Sequence, residues 1–578
     1  MTMNTKNRIT LELVPDSSFL LGGVSVNPAY HSATALDENN LPFLTATALK
    51  GALRMEFEAF AWGTEEIAIC DLDKNDFRGC GQCLSCRLFG GNNNEGKLRF
   101  NAALLKKEDM QALKAVSKDI LDKGRREGVS ISRTLGKARD KSYFSTLTFP
   151  DLKGSREISF TTHLDVVRPL DDNEHRYLEA FFAFLEKTGF FMGSRKSVGL
   201  GYFKINCQIP AAFEEPDKID TENRELKLFR VTLITEEPLV VGDVKNQYII
   251  DTLPYLPAST MGGSIGFGFV KNGIAEDVVS RLFLDHHSFT PFNFYWKEPF
   301  PNPVSMRAKK GEKDREKDIL ISDFIIKRAI EKGKFAAVEP LFHTVYRSSL
   351  RPAPVCKKPD TTYQTKVAIG RVLQKGRDGM LYSMELIPKD KVFQGLVIGE
   401  AWTGDALKKM ELFIGGKRTR GFGKTEIEKV EEISMNELLN RDVSIDAQLR
   451  KTAKEYGIDM DENREYFALD LLADLEIPKG KTLEKVLKQE LFGDLDMEIE
   501  KAYPHLIRRG GYDFTAKKEK PLVQKVGAGS VFLVSVPKEK ADAFRDKAAS
   551  MLKNSILYKW DSTPLFMLNN PKHTDIWR

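Results

Sequence analysis

Apolar and polar residues alternate from Thr10, break at the acidic-polar turn P-D-S-S, and resume through Phe19–Val24. That is the pattern of a strand and its exit. Behind Thr45, a residue suited to an N-cap, Leu49, Leu53, Phe57 and Phe60 recur at helical spacing. They predict one buried face of a first helix. A second helix is predicted over Asp172–Lys187, with Leu178, Phe181, Phe182 and Leu185 on one side. Short alternating stretches that end at Ile205 and Ile427 read as strands. Beyond them the pattern changes. Met435–Leu506 is acid-rich and reads as helix-rich, with periodic Leu469, Leu471, Leu472 and Leu475. Gly527–Val536 reads as a buried strand and Lys538–Leu557 as an amphipathic helix.

Much of this pattern occurs twice. Thr10–Val24 aligns without a gap to Arg230–Val244, and Leu41–Leu53 to Leu253–Ile265. R-L-F recurs at Arg87–Phe89 and Arg281–Phe283. Val129–Ser145 aligns without a gap to Val367–Ser383, sharing Val, Ile, Arg, Leu, Lys, Arg-Asp and a final Ser. Last come two glycine loops, G-S-R-K-S-V-G-L-G at Gly193–Gly201 and G-G-K-R-T-R-G-F-G at Gly415–Gly423. Pairs in one unbroken order imply a duplicated unit. Each copy reads strand, helix, a long middle, a strand pair, helix, glycine loop, strand. That order suggests an α+β fold of two tandem βαββαβ, ferredoxin-like (RRM-like) modules with insertions. The expected division is a first module over 1–208, a Glu/Asp/Pro-rich linker over 209–225 and a second module over 226–430. A helical insertion over 431–510 follows, then a strand and helix over 511–578 that complete the second module. The mixed-charge run Arg307–Asp318 is expected to be an exposed loop or an RNA contact.

Composition narrows the classes. The 578 residues are 42% hydrophobic, enough for more than one core. Net charge is only +5, so cations would have to gather on one surface to hold an anionic polymer. No apolar run is long enough for a membrane span, and Met1–Thr10 lacks the apolar segment of a secretion signal. The 6 cysteines are too few for a disulfide framework, and a reducing cytoplasmic setting is expected. Cys70, Cys80, Cys83 and Cys86 form C-x9-C-x2-C-x2-C. Such spacing lets four soft thiolates close a tetrahedral structural Zn2+ site; an iron–sulfur cluster or free thiols are the alternatives. Cys207 and Cys356 read as packing residues.

The glycine loops carry the candidate anion chemistry. Glycine permits positive φ and close backbone approach to a phosphate, and the loops add Arg195, Lys196, Lys417, Arg418 and Arg420. Gly193, Gly199, Gly415 and Gly421 are the turn positions. Lys50 and Arg54, one turn apart on the first helix, could project together toward phosphates or form a solvated face. Tyr202, Phe203 and Phe422 could stack on bases or belong to the core.

The run L-P-F-L-T-A-T-A-L-K-G-A-L-R, the cysteine knuckle, C-R-L-F-G-G, the R-x-x-G-x-A/G-x-D segments and the terminal glycine loop resemble the RAMP superfamily of CRISPR effector subunits. The first half resembles filament-forming backbone subunits of type III effectors. The second, with Y-L-P-A-S-T-M-G-G and G-G-K-R-T-R-G-F-G, resembles the guide-capping RAMP subunit of type III-D systems. The resemblance implies binding of CRISPR guide RNA at its repeat-derived 5′ end and recognition of target RNA. It also implies partnership with other RAMP subunits and a polymerase-like large subunit, and adds Arg133 and Arg371 to the RNA-binding candidates. Backbone subunits often cut target RNA with an Asp in the loop after the first strand. Here that loop offers Asp37, which would need Mg2+, and His31 as a general base in guide processing. An endoribonuclease is therefore the alternative function, and a zinc-dependent protein scaffold another.

Overall fold

The computed structural model describes residues 7–23, 32–36, 41–64, 67, 70, 79–91, 94–111, 113, 124–150, 158–211, 219–245, 249–285, 288–309, 312–347, 350–369, 376–438, 440, 442–513, 518–550 and 565–577. Two of its sheets have the same strand order. The first runs Leu98–Phe100, Phe160–Val166, Arg8–Pro15, Tyr202–Gln208, Phe190–Phe191. The second runs Thr290–Pro291, Val392–Glu400, Leu226–Thr235, Lys424–Ile433, Glu411–Phe413. Neighbours in both are antiparallel. The chain is thus a mixed α/β protein with two tandem modules, and in each the first strand is the central one.

Strand period explains the layering. Ile9, Leu11 and Leu13 are fully buried on one face and pack against Leu49, Leu53 and Phe57 of the first helix, Ala46–Trp62. The same core takes Leu178, Phe181, Phe182 and Leu185 from helix Asp172–Thr188. Phe57 meets Phe181 edge-on at 5.2 Å. The Thr45 hydroxyl accepts from the Ala48 N–H, and Asp171 with Glu174 closes a reciprocal capping box. In the second module Phe229, Val231 and Leu233 pack against Met261, Ile265 and Phe269 of Ala258–Lys271. Trp402 and Leu407 of Ala401–Lys408 close the same core.

The aligned segments Val129–Ser145 and Val367–Ser383 fall in matching hairpins. These are Arg125–Ile131 with Ala138–Leu147, and Thr362–Ile369 with Gly376–Leu386. Each hairpin also pairs in parallel with a short strand near the module's start, Ser32–Thr34 or Ile249–Thr252.

The expected helical insertion over 431–510 needs correction. Its helix Ile445–Glu455 is followed by a strand, Arg464–Leu471, at the centre of a further sheet. That sheet runs Glu498–Tyr503, Val531–Pro537, Arg464–Leu471, Phe566–Leu568. The reason is burial on both sides. Phe467, Leu469 and Leu471 face one apolar cluster, whereas Tyr466 and Ala468 face another. A strand buried on two faces reads as a near-continuous apolar run, which periodicity does not distinguish from a buried helix. The predicted strand within Gly527–Val536 pairs with Arg464–Leu471 rather than with the second module's sheet. Helix Ala541–Ser550 covers part of Lys538–Leu557, and 551–564 lie outside the described residues. The mixed-charge run forms a hairpin, Met306–Lys309 with Glu312–Asp318.

His573 ties this third unit together. Its Nδ1 lies 3.0 Å from Asp318 and its Nε2 2.7 Å from Asp470, all three buried. The Leu320 N–H and the Ser305 hydroxyl complete the shell of Asp318. Burial opposes a charge on His573, but Asp470 and Asp318 outweigh it and push its pKa up to about 10. An imidazolium raised in this way stabilises the fold fully below pH ~6.5, and the contribution is lost as pH rises through about 10. His573→Ala leaves two buried carboxylates facing each other and should cost about 3–5 kcal/mol. Hydrogen exchange of Arg464–Leu471 in that variant should be faster at pH 7, with the gap to the parent closing above pH 10.

Candidate nucleic-acid interface and cysteine knuckle

Both glycine loops are anchored alike. In the first, the Ser194 and Gly201 N–H groups donate to Leu20 and Ser18, each at 2.8 Å. In the second, Gly416 and Gly423 donate to Val240 and Pro238 at 2.9 and 3.0 Å. Arg195 and Lys417 both sit at φ 60°, and Gly193, Gly199, Gly415 and Gly421 all have positive φ. Some of the N–H groups expected to face an anion are therefore committed to the module's own strand exit.

The loops differ in what surrounds them. The second one docks on the first module, against the start of helix Ala46–Trp62. A Cβ at Gly421 would lie 2.4 Å from the Ala46 Cβ. Arg420 forms a β-bridge with Phe100, and Lys50 donates to the Thr419 hydroxyl at 2.8 Å. Arg99, which sequence reasoning missed, donates to the Arg418 carbonyl at 3.0 Å and lies 4.0 Å from the Phe413 ring centroid. It also pairs with Asp165 and Glu237. Arg8 bridges Asp165 and Glu411, each at 2.9 Å, so the two sheets share one buried ion network. A single arginine in the apolar run L-R-F was the available signal, and only its position 1% exposed reveals its role.

Cations from both modules collect at this joint, and among the described residues Lys50 and Lys366 have no paired carboxylate. Lys50 is 9% exposed, and burial with repulsion from Arg420 and Arg54 pushes its pKa down to about 7. Lys366, from strand Thr362–Ile369, donates to the Thr47 hydroxyl at 2.9 Å. Burial with repulsion from Lys417 and Arg420 brings it down to about 8. Lys417 lies 5.0 Å from the Tyr382 ring centroid, Arg420 is exposed, and Arg418 pairs with Glu95 at 2.6 Å. The N-terminal end of a 17-residue helix adds its own positive potential. This combination suits a multiply charged anion.

The remaining candidates separate. Arg195 is exposed, with its guanidinium 4.4 Å from the Phe144 ring centroid, and Lys196 reaches Met55 Sδ at 3.7 Å. Arg133 is exposed in the turn of the first hairpin. Phe203 and Phe422 are buried, and Tyr202 is half-buried with its hydroxyl donating to Thr188. His31, Asp37 and Arg371 lie outside the described residues.

Arg54 points away from the joint. It donates to the Gly90 carbonyl at 2.6 Å and to Cys86 Sγ at 3.3 Å, and it pairs with Glu58 at 2.9 Å. Beside it, the four sulfurs of Cys70, Cys80, Cys83 and Cys86 lie within 4.8 Å of one another. Cys70 Sγ is 3.6, 3.4 and 3.2 Å from the other three. Zinc–sulfur bonds of about 2.3 Å in a tetrahedron require sulfurs about 3.8 Å apart. The Cys80 and Cys83 N–H groups donate to neighbouring sulfurs, as thiolates require. The cluster is a possible metal site compatible with zinc.

The sequence profile of the RAMP superfamily matches residues 14–204 and 232–426, the two repeats in turn. The chain belongs to the RAMP superfamily. It is similar to chains in two solved structures of a Type III-B Cmr-beta complex. One, bound to cognate target RNA and AMPPnP, is 15% identical, with a TM-score of 0.31, covering 58% of this chain and 94% of the other. The second, bound to cognate target RNA, is 14% identical, with a TM-score of 0.29, covering 55% and 89%. No curated protein matches the sequence. In this RAMP protein the boundary between the two matched regions is bridged by the docked glycine loop. Replacing Gly421 by Val should force Ala46 aside and weaken the joint by about 1–3 kcal/mol. Faster hydrogen exchange at 46–50 and 415–423, with strand Arg8–Pro15 unchanged, would register it.

Proposed function

We propose that this RAMP protein is an RNA-holding and assembly subunit of a type III CRISPR effector, gripping the guide RNA near its repeat-derived 5′ end. One observation carries the reading: buried Lys50 and half-buried Lys366 both lie at the joint with Arg420 nearby, and both have depressed pKa values. A cation cluster that raises its own free energy in this way is relieved by a phosphodiester backbone, whatever the base sequence. Superfamily membership and the motifs of the two halves support the type III assignment. Each module is read as ferredoxin-like from its strand order, and other RAMP subunits and the polymerase-like large subunit are the partners in this reading. Four thiolates braced by Arg54 are read as holding a structural Zn2+ that fixes the knuckle beside the first helix.

Two measurements test these assignments. Lys366→Glu with Arg420→Glu should weaken single-stranded RNA binding at least about tenfold for every sequence tried. It should also flatten the salt dependence by about 0.7 log units per lost phosphate contact. Because only the ammonium forms bind phosphate, parent affinity should fall as pH rises from about 6.5 to 8.5, through the values near 7 and 8 at Lys50 and Lys366. Unchanged binding in the double variant would move the RNA to another surface. Purified protein should carry about one zinc per chain by elemental analysis, lost in Cys83→Ser; a visible iron–sulfur chromophore would reverse that assignment.

A further inference from the structure

A cavity of about 350 Å³ opens where the second module meets the third unit, and the joint described above does not use it. Tyr295, Trp296 and Phe300 supply aromatic surface. The Tyr295 hydroxyl accepts from Asn293, and its buried ring already lies 5.6 Å from that of Tyr255, which leaves Trp296 and Phe300 as the more open aromatic surface. The polar lining is a chain of alternating charge. Lys357 donates to Glu298 at 3.0 Å, and Lys572 bridges Glu298 at 3.4 Å and the Asn302 side-chain Oδ1 at 3.0 Å. The Asn302 amide then donates to Glu316 at 2.7 Å. Burial disfavours a charge on Glu298, but Lys572 and Lys357 outweigh it and hold its pKa below the usual range, so it is an anion at neutral pH. Burial pushes the Cys356 thiol up to about 11, which removes it as a nucleophile. The cavity is built for binding rather than for covalent chemistry.

Its charges narrow the ligand. Two ammonium groups, Lys357 and Lys572, face three carboxylates, Glu298, Glu316 and Asp575, and Asp575 is already paired with Lys317 at 2.8 Å, so the charges nearly cancel, which disfavours both a simple anion and a simple cation. Aromatic faces with adjacent donors and acceptors fit a nucleobase taken out of its stack and read along its edge. Among the bases, guanine places two N–H donors, N1 and N2, beside the acceptors O6 and N7. A carboxylate can receive the donors while a neighbouring ammonium faces the acceptors. Among the described residues the second Glu316 oxygen carries no hydrogen bond, so it is open to such a donor.

We propose that this cavity binds a guanine base, presented by the RNA strand or by a free guanine nucleotide, with Glu316 receiving its N–H edge and Trp296 packing on its ring. The RNA-borne form rests on the function proposed above; the free-nucleotide form does not. Calorimetric titration of the full chain with GMP, IMP, AMP, CMP and UMP tests the cavity directly. A parallel arm uses single-stranded RNA octamers carrying one guanosine or one inosine, which lacks the 2-amine. GMP should bind at least about tenfold more tightly than IMP and the other nucleotides. Glu316→Gln, whose amide oxygen can still accept from Asn302, should abolish that preference, and Trp296→Ala should weaken every base. Discrimination by octamers alone assigns the base to the strand; discrimination by GMP as well leaves the site open to free nucleotide. Equal binding of guanosine and inosine in both arms, or discrimination that survives Glu316→Gln, overturns the proposal. If salt-sensitive octamer binding persists in that case, the RNA-holding function stands without the cavity. If octamer binding is absent altogether, the function itself is what fails.

Discussion

A hydrogen atom is all that the first helix leaves room for at Gly421. With Ala46 so close, the glycine loop of the second module and the start of the first helix form one packed surface. The backbone takes a positive φ there, which glycine adopts without a steric cost. Everything else at the joint depends on that approach. It brings Thr419 to Lys50, carries the Arg418 carbonyl to Arg99, and sets Arg420 beside Phe100. Buried ion pairs such as Arg99 with Asp165 and Arg8 with Asp165 add little net stability over an apolar contact. They do penalise any other register, because a shift would strand several charges out of water. The joint is held by shape and aligned by charge.

The same approach makes the joint electrostatically unfavourable in isolation. Lys50 loses water to the docked loop, and Lys366 arrives from the second module's hairpin with its ammonium against Thr47. Among the described residues neither pairs with a carboxylate, and Glu95 offsets the burial of Lys50 only in part. The first module's own loop has the same backbone anchors and the same left-handed turn, yet Arg195 rests near an aromatic ring and is exposed. One local conformation therefore has two fates. Where a neighbouring module covers it, the lysines packed beside it are desolvated although Arg420 itself stays exposed; in the uncovered loop Arg195 is solvated.

Arg54 and Lys50 show how finely a helix divides its work. They stand one turn apart, so the sequence reads them as a pair. The guanidinium turns toward Gly90 and Cys86, and the ammonium turns toward the docked loop. The guanidinium beside Cys86 favours the thiolate form of that sulfur, so Arg54 belongs electrostatically to the cysteine cluster.

The duplication, the two central strands, their covering helices and the cysteine knuckle were legible from the residues alone. Each is written in local periodicity, capping residues or ligand spacing, which survive without knowledge of the neighbours. The third sheet was not legible, because Arg464–Leu471 is apolar on both faces and its alternation disappears. Nor was Arg99, whose partners lie 66 and 138 residues away. The sequence by itself determined that the glycine turn occurs twice and which cysteines could share an ion. Only the tertiary structure decided which of the two equivalent turns is buried against another module, because desolvation depends on what packs over a charge, and that is not a local property of the chain.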